Sequence, residues 1–259
     1  MGIFAYKIKC LTNLHVGSGD LNYNIIDNEV ERDAVTGYPI IHASGLKGAL
    51  REHYSGKEDR GFEIRDVFGQ KSGSDEIKAG SYKFLDARLL ARPMRTSGQA
   101  GSVMVVSEKS VNDFIRFMNG FGITEFGTEF LSVDFSGCSF LGCKKGMEIE
   151  AEKTGTLNEN AKALLSKISK LFGEEYADNY AVVKDFNDYD LPVVARNKLD
   201  NGISVNLWYE EVVPHDSIFY TVIITPDDEM LLKLDNKDYI QIGGHASIGC
   251  GITEFEKLN

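Results

Sequence analysis

The segment from Ile242 to Gly251 sets four glycines, Gly243, Gly244, Gly249 and Gly251, between two short segments of mixed apolar and polar residues, Tyr239 to Ile242 and Ile252 to Phe255. Glycine tolerates positive φ and lets another main chain or a ligand approach closely. The stretch therefore reads as a tight connection between strands with bare backbone. No Gly-Lys-Ser/Thr follows, which excludes a Walker loop, and no helical pattern follows, which excludes a dinucleotide fingerprint. Two readings stay open, a cradle for a phosphate-bearing ligand and a bulged turn between strands. The chain as a whole has 26 Gly and 5 Pro in 259 residues. That balance favours many turns and strands over a helical bundle.

The net charge of -11, from 39 acidic and 28 basic residues, argues against general polyanion binding, because phosphate contacts need Lys and Arg. It leaves room for a local basic groove. Lys83, Arg88, Arg92 and Arg95 cluster against Asp86, whereas the tail from Asp227 is acidic, so one basic and one acidic face are expected. Cys10, Cys138, Cys143 and Cys250 have no paired C-x-x-C spacing, which reads as free thiols in a reducing cytosol rather than a zinc site. The opening residues lack the pattern of a signal peptide. No stretch approaches the ~18 apolar residues of a membrane span. A cytoplasmic protein is expected.

Phe4 to Leu11 alternates as a first strand, and Tyr38 to His42 as a short one. Ser44 is expected to cap a helix running to about Tyr54. Gly69 to Gly80 reads as a loop and Tyr82 to Leu90 as a strand. Ser107 caps a helix to Met118 with Val111, Phe114, Ile115 and Met118 apolar. Thr128 to Gly142 looks β-like. Asn158 to Phe172 is amphipathic, with Ala161, Leu164, Leu165, Ile168 and Leu171 on one stripe. Leu191 to Ile224 is strand-rich, and Asp200-Asn201-Gly202 suits a hairpin tip. Pro226 to Leu234 suits a short helix with Asp227 and Asp228 at its start. The order of elements implies an α+β fold with an antiparallel sheet.

Several groups can carry chemistry. A helix start at Ser44 offers free amides and a partial positive charge. Gly45 and Gly48 bare the main chain, and Lys47 and Arg51, four residues apart, share a face. An ordinary capped surface helix is the alternative. His15 to Gly19 is a second glycine-bearing loop, able to cradle phosphate or simply to turn. Asp27, near Asn24, Asn28, Glu29, Glu31 and Asp33, can hold a hydrated divalent cation or be a solvated acid. The histidines 15, 42, 53, 215 and 245 include two in glycine loops, which keeps a histidine general base open.

In order, Leu11 to Gly19, Ile26-Asp27 leading to Glu31-Arg32, Thr36 to Ile40, Ser44 to Arg51, Phe84 to Leu90 with Pro93, Leu207-Trp208-Tyr209-Glu210-Glu211 leading to Pro214, and Ile242 to Gly251 resemble the RAMP superfamily of CRISPR proteins. The pattern is that of the repeated backbone subunit of the Cmr (type III-B) effector complex. The resemblance implies one domain over residues 1–259, a ferredoxin-like (RRM-type) core with an antiparallel sheet, large insertions at about 55–80 and 185–215, and a β-hairpin thumb in the second. It implies binding of a CRISPR guide RNA through His15, Gly17, Ser44, Gly45, Lys47, Arg51, Gly243, Gly244, His245 and Gly249. The partners it implies are target RNA, further copies of the chain and other effector subunits, with no membrane. It also implies endoribonuclease cleavage of target RNA in the assembled complex, with Asp27 as catalytic residue and holder of a divalent metal, Mg or Mn. A purely structural RNA-binding subunit, the type III-A Csm backbone subunit and a stand-alone repeat-processing nuclease remain alternatives.

Overall fold

The computed structural model describes residues 1–17, 19, 25–57, 61–70, 78–97, 101–144, 146–234 and 238–259. Ser18, Asn24 and most of the loop expected between Gly69 and Gly80 lie outside them. The strands in chain order are β1 (Ile3–Cys10), β2 (Ile40–Ile41), β3 (Lys83–Phe84), β4 (Ala87–Arg95), β5 (Ser102–Ser107), β6 (Phe140–Gly142), β7 (Glu148–Ile149) and β8 (Glu152–Lys153). Then follow β9 (Gly155–Thr156), β10 (Tyr180–Val183), β11 (Val193–Asp200), β12 (Ile203–Glu211), β13 (Ile218–Ile224), β14 (Tyr239–Gln241) and β15 (Ile252–Lys257). The α-helices are α1 (Ala43–Ser55), α2 (Ile64–Phe68), α3 (Glu108–Gly120) and α4 (Glu159–Ile168).

The chain forms two compact units, one of residues 1–88, 191–215 and 221–259, the other of 89–190 and 216–220. In the first, neighbouring strands run β14-β15-β1-β13, with β3 antiparallel on β13. β1 and β15 pair antiparallel from Tyr6↔Lys257 to Cys10↔Thr253. Ala5, Ile8, Ile41, Leu46, Leu50, Ile223 and Phe255 are fully buried and form its core. The hairpin β11–β12 is a separate two-stranded sheet, antiparallel from Val193↔Glu211 to Asp200↔Ile203. Asn201 (φ 48°) and Gly202 (φ 81°) close it, as positive φ at both central turn residues requires.

In the second unit the order is β4-β5-β10-β6-β9. The all-antiparallel sheet expected from the sequence is corrected here, because β5–β10 and β6–β9 pair parallel. Parallel neighbours need a crossover, and α3 lies in the chain between β5 and β10. The α3 start is as expected: Ser107 accepts from the Ser110 amide and Ser110 returns the bond, closing a capping box. Val111, Phe114, Ile115 and Met118 are buried, and the Phe114 ring sits edge-on to Tyr220 at 5.0 Å. Burying each such side chain is worth about 1.5–3 kcal/mol. α4 ends at Ile168 and tightens into a 3₁₀ turn through Phe172; Leu164 is only half-buried.

Two expected elements are absent. Of Thr128 to Gly142 only β6 pairs, because the Asn112 side chain takes the place of a strand partner: its Oδ1 accepts from the Leu131 amide and its Nδ2 donates to the Leu131 carbonyl. Pro226 to Leu234 is not helical. Asp227 accepts from the Glu229 amide and the Tyr82 hydroxyl from the Leu231 amide, so side chains take the bonds a helix would use.

Candidate nucleic-acid interface

α1 buries Leu46, Leu50 and Tyr54 on one stripe and exposes Ser44, Gly45, Gly48 and Glu52 on the opposite ridge. Each helical glycine forgoes about 1 kcal/mol relative to Ala. Here a Cβ on Gly45 or Gly48 would meet no atom within 4 Å, so packing does not require either glycine. The glycines leave a bare ridge beside an open groove of about 490 Å³, bounded by Gly45, Gly48 and Ala49 of α1 and by Tyr239, Gln241 and Gly243. The two glycine-bearing segments singled out in the sequence therefore share one channel.

Ser44 is not the cap. α1 begins at Ala43, His42 holds the cap position without a side-chain bond, and Asp86 accepts from the Ala43 amide at 2.6 Å. A carboxylate placed just ahead of β4 thus fills one of the amide sites expected for phosphate. Lys47 and Arg51 do not line the groove. At 100° per residue they fall on the flank across the ridge from the Gly45 and Ala49 side, half-buried. Gly48 lies between, so a strand reaching Lys47 from the groove crosses the helix where no side chain obstructs it. Among the described residues, the buried Arg51 Nε has no hydrogen-bond partner. The single basic face expected from Lys83 to Arg95 is also corrected. Arg92 is 3 % exposed, donates to the Tyr189 and Asp190 carbonyls and stacks on Phe186, while Lys83 and Arg88 are exposed.

The closing glycine loop is built by contact with the His15 loop. Gly243 (φ 79°) would place a Cβ 2.3 Å from the His15 carbonyl, and Gly251 (φ 76°) one at 1.9 Å from the Ile242 carbonyl. The Gly244 amide donates to the His15 carbonyl at 2.9 Å, and the Gly251 amide to the Asn13 carbonyl at 2.8 Å. Glycine at 243 and 251 thus answers to backbone packing. Gly249 (φ 79°) faces open space and, with left-handed His245, brackets a 3₁₀ turn over Ala246–Ile248. His15 is buried at 6 % exposure, its Nδ1 donates to the Glu211 carbonyl, and its ring lies 5.3 Å from that of His245. A Cβ on Gly17 would come within 3.0 Å of the His15 Nε2. His15 therefore braces the loops instead of facing solvent.

Asp27 is tied to the base of the hairpin. Its amide donates to the Tyr209 carbonyl at 3.1 Å, and the Tyr209 amide donates back to Asp27 Oδ2 at 2.8 Å. Among the described residues, Oδ1 has no hydrogen-bond partner. The next residues dock on the same strand, Asn28 bridging Glu210 and the Glu211 amide donating to the Asn28 carbonyl. Among the described residues, no group of three or more His, Cys, Asp or Glu is placed to hold a metal.

Two adjacent acids organise this region. Glu210, 1 % exposed, accepts from Trp208 Nε1 at 2.7 Å and Arg196 Nε at 3.0 Å, and faces His245 Nε2 at 3.3 Å. Burial pushes its carboxyl up, but the bonds from Trp208 and Arg196 and the His245 and Arg196 charges outweigh that and hold it below the ordinary glutamate value. Glu211, 5 % exposed, accepts from the Val30 amide and pairs with Arg32. Glu210 thereby fixes the glycine loop and Glu211 the segment after Asp27. The sequence signal was present, two acids side by side at the end of a strand, but it does not name their partners, which lie elsewhere in the chain.

Comparison with known proteins follows the same lines. A chain described as CRISPR system Cmr endoribonuclease Cmr4 from Pyrococcus furiosus is 28 % identical over 283 residues, covering 98 % of this chain and 95 % of that one. The fold matches a subunit of the type III-B Cmr-beta complex bound to cognate target RNA, with a TM-score of 0.73 at 23 % identity over 99 % and 97 % of the two chains. It also matches oligomeric Cmr4 from Pyrococcus furiosus, with a TM-score of 0.71 at 21 % identity over 100 % and 99 %. Both share the mixed α+β build with a large sheet and few helices. The RAMP superfamily pattern spans residues 7–255, and the chain belongs to that superfamily.

Proposed function

We propose that the chain is the guide-RNA-binding backbone subunit of a type III-B CRISPR effector complex, working in the cytoplasm in several copies beside other subunits, and that Asp27 serves cleavage of target RNA there. In this reading residues 1–259 are one family domain with a ferredoxin-like core and insertions at about 55–80 and 185–215. The observation that carries it is the placement of Asp27 on the base of a projecting hairpin, in the same unit as the bare α1 ridge and the Gly243 groove.

The guide phosphates run along Gly45 and Gly48, with Lys47 on the far flank, while the hairpin spreads the target strand. The Tyr209 amide fixes one Asp27 oxygen and leaves Oδ1 to work. Oδ1 takes the proton of a ribose 2′-OH as the 2′-oxygen bonds to the adjacent phosphorus and the P–O5′ bond breaks; the departing O5′ takes a proton from water, leaving a cyclic phosphate and a 5′-hydroxyl. Holding the nucleophile and the phosphate in line contributes much of the rate. In the alternative use of the same oxygen, Oδ1 would hold a hydrated Mg or Mn ion, a single-carboxylate contact that leaves the ion most of its waters, and the ion would supply neutralisation of charge developing on phosphate.

In the assembled complex, Asp27→Asn is expected to leave guide binding intact and slow target cleavage at least about 100-fold, a typical general-base contribution. Chelation of divalent ions is expected to stop cutting by the wild type. Normal cutting by the variant removes Asp27 from catalysis. The reciprocal bonds between Asp27 and Tyr209 favour a second reading, in which Asp27 only seats the hairpin on a non-catalytic subunit. That reading predicts a complex that never cuts and an Asp27→Ala variant, which loses the acceptor for the Tyr209 amide, with reduced melting temperature.

A further inference from the structure

Tyr239 opens β14 with 63 % of its surface exposed, while its neighbour Ile240 is fully buried. Strand alternation turns Tyr239 and Gln241 to the same side, onto the groove they share with Gly45, Gly48 and Gly243. Most large aromatic rings of this chain pack against another ring or a cation; Tyr239 is left facing open space. Charge around it is largely spent. Asp238 is held by Lys57 Nζ at 2.8 Å with His53 Nε2 at 3.7 Å, and among the described residues Glu52 is the one carboxylate lining the groove. Gln241 donates its amide to the Gly243 carbonyl at 2.9 Å, which stiffens the wall opposite the helix. Among the described residues, the groove therefore presents bare peptide, one flat ring and little net charge. Those features suit a planar, weakly polar group more than a phosphate, which the ridge and Lys47 serve better.

We infer that Tyr239 is a stacking platform for one nucleobase of single-stranded RNA lying in the groove. The inference rests on the RNA-binding reading above and adds a contact to the base, not the backbone. Stacking on an aromatic face is indifferent to base identity, because every base has a π-face, so the contact is compatible with guides of any sequence.

The test uses the full-length chain and a fluorescein-labelled single-stranded RNA, with a second strand of equal length that carries abasic sites. Tyr239→Phe is expected to bind like the wild type and Tyr239→Leu about tenfold more weakly, within the range for loss of one stacked base. On the abasic strand wild type and Tyr239→Leu are expected to be equal. Gly48→Leu serves as the control for the underlying reading, since the site is open enough for the helix to accept it. Unchanged binding by Gly48→Leu overturns the groove as an RNA site. A loss with Gly48→Leu but none with Tyr239→Leu overturns the platform alone. A tenfold loss with Tyr239→Leu that persists on abasic RNA also overturns it, placing the ring against backbone or a neighbouring protein.

Discussion

Gly249 and Gly251 have nearly the same backbone, φ 79° and 76°, but different surroundings. Replacing Gly249 by Ala adds only the left-handed strain of roughly 1–2 kcal/mol, because the space around it is open. Gly251→Ala adds the same strain and forces a methyl onto the Ile242 carbonyl. Thermal unfolding of the two variants is expected to separate them clearly, with Gly251→Ala the less stable; equal melting temperatures would mean the loop relaxes freely. Glu210 yields a pH prediction. Its carboxyl is held below the ordinary glutamate value. The stability it adds is therefore complete above the unfolded value of about 4.3 and disappears as pH falls through the lower folded one. Glu210→Gln is expected to flatten the acid limb of the stability profile below about pH 4, read by denaturant unfolding across pH. Glycine at these positions was legible from residue type. What was hidden was the reason, since Gly243 and Gly251 meet other main chain while Gly45 and Gly48 meet nothing. One letter cannot distinguish the two.

At the scale of elements, α1 makes the distinction between a local and an imported cap testable. Asp86→Ala is expected to destabilise the protein by about 1 kcal/mol, as loss of a capping carboxylate does, whereas Ser44→Ala is expected to change nothing measurable. A loss from Ser44→Ala of the same size would restore Ser44 to the cap. Sequence periodicity located α1, α3, α4 and the β11–β12 hairpin because each carries its own instructions: a buried stripe, a capping residue or an Asn-Gly turn. It failed at Thr128 to Leu131 and at Pro226 to Leu234, where the main chain bonds to Asn112 and Tyr82 across long separations. It also failed to show the parallel pairing of β5 with β10, since strand direction depends on a crossover and not on the pattern of either strand.

For the whole molecule, a net charge of -11 bears on the proposed binding of RNA. A single copy offers few phosphate contacts, so binding to single strands is expected to be weak and only mildly salt-dependent. Lys47→Ala is expected to reduce the slope of log K against log salt by about 0.7, the single-strand value per contact. An unchanged slope would remove Lys47 from the interface. In the proposed assembly, affinity is expected to grow with the number of copies on one strand, since each further copy binds at high effective concentration.

Glu210 and Glu211 are consecutive on β12, so their side chains leave the strand in opposite directions. One rivets the glycine loop and the other the segment after Asp27. A slip of one residue at this point would exchange the two and detach both loops together, so the length of chain below Tyr209 is fixed. Beyond it, Ile203, Val205 and Leu207 stand in solvent with nothing bolted to them. The finger can lengthen or shorten at its tip, two residues at a time, and thereby alter its reach without disturbing the knuckle that carries it.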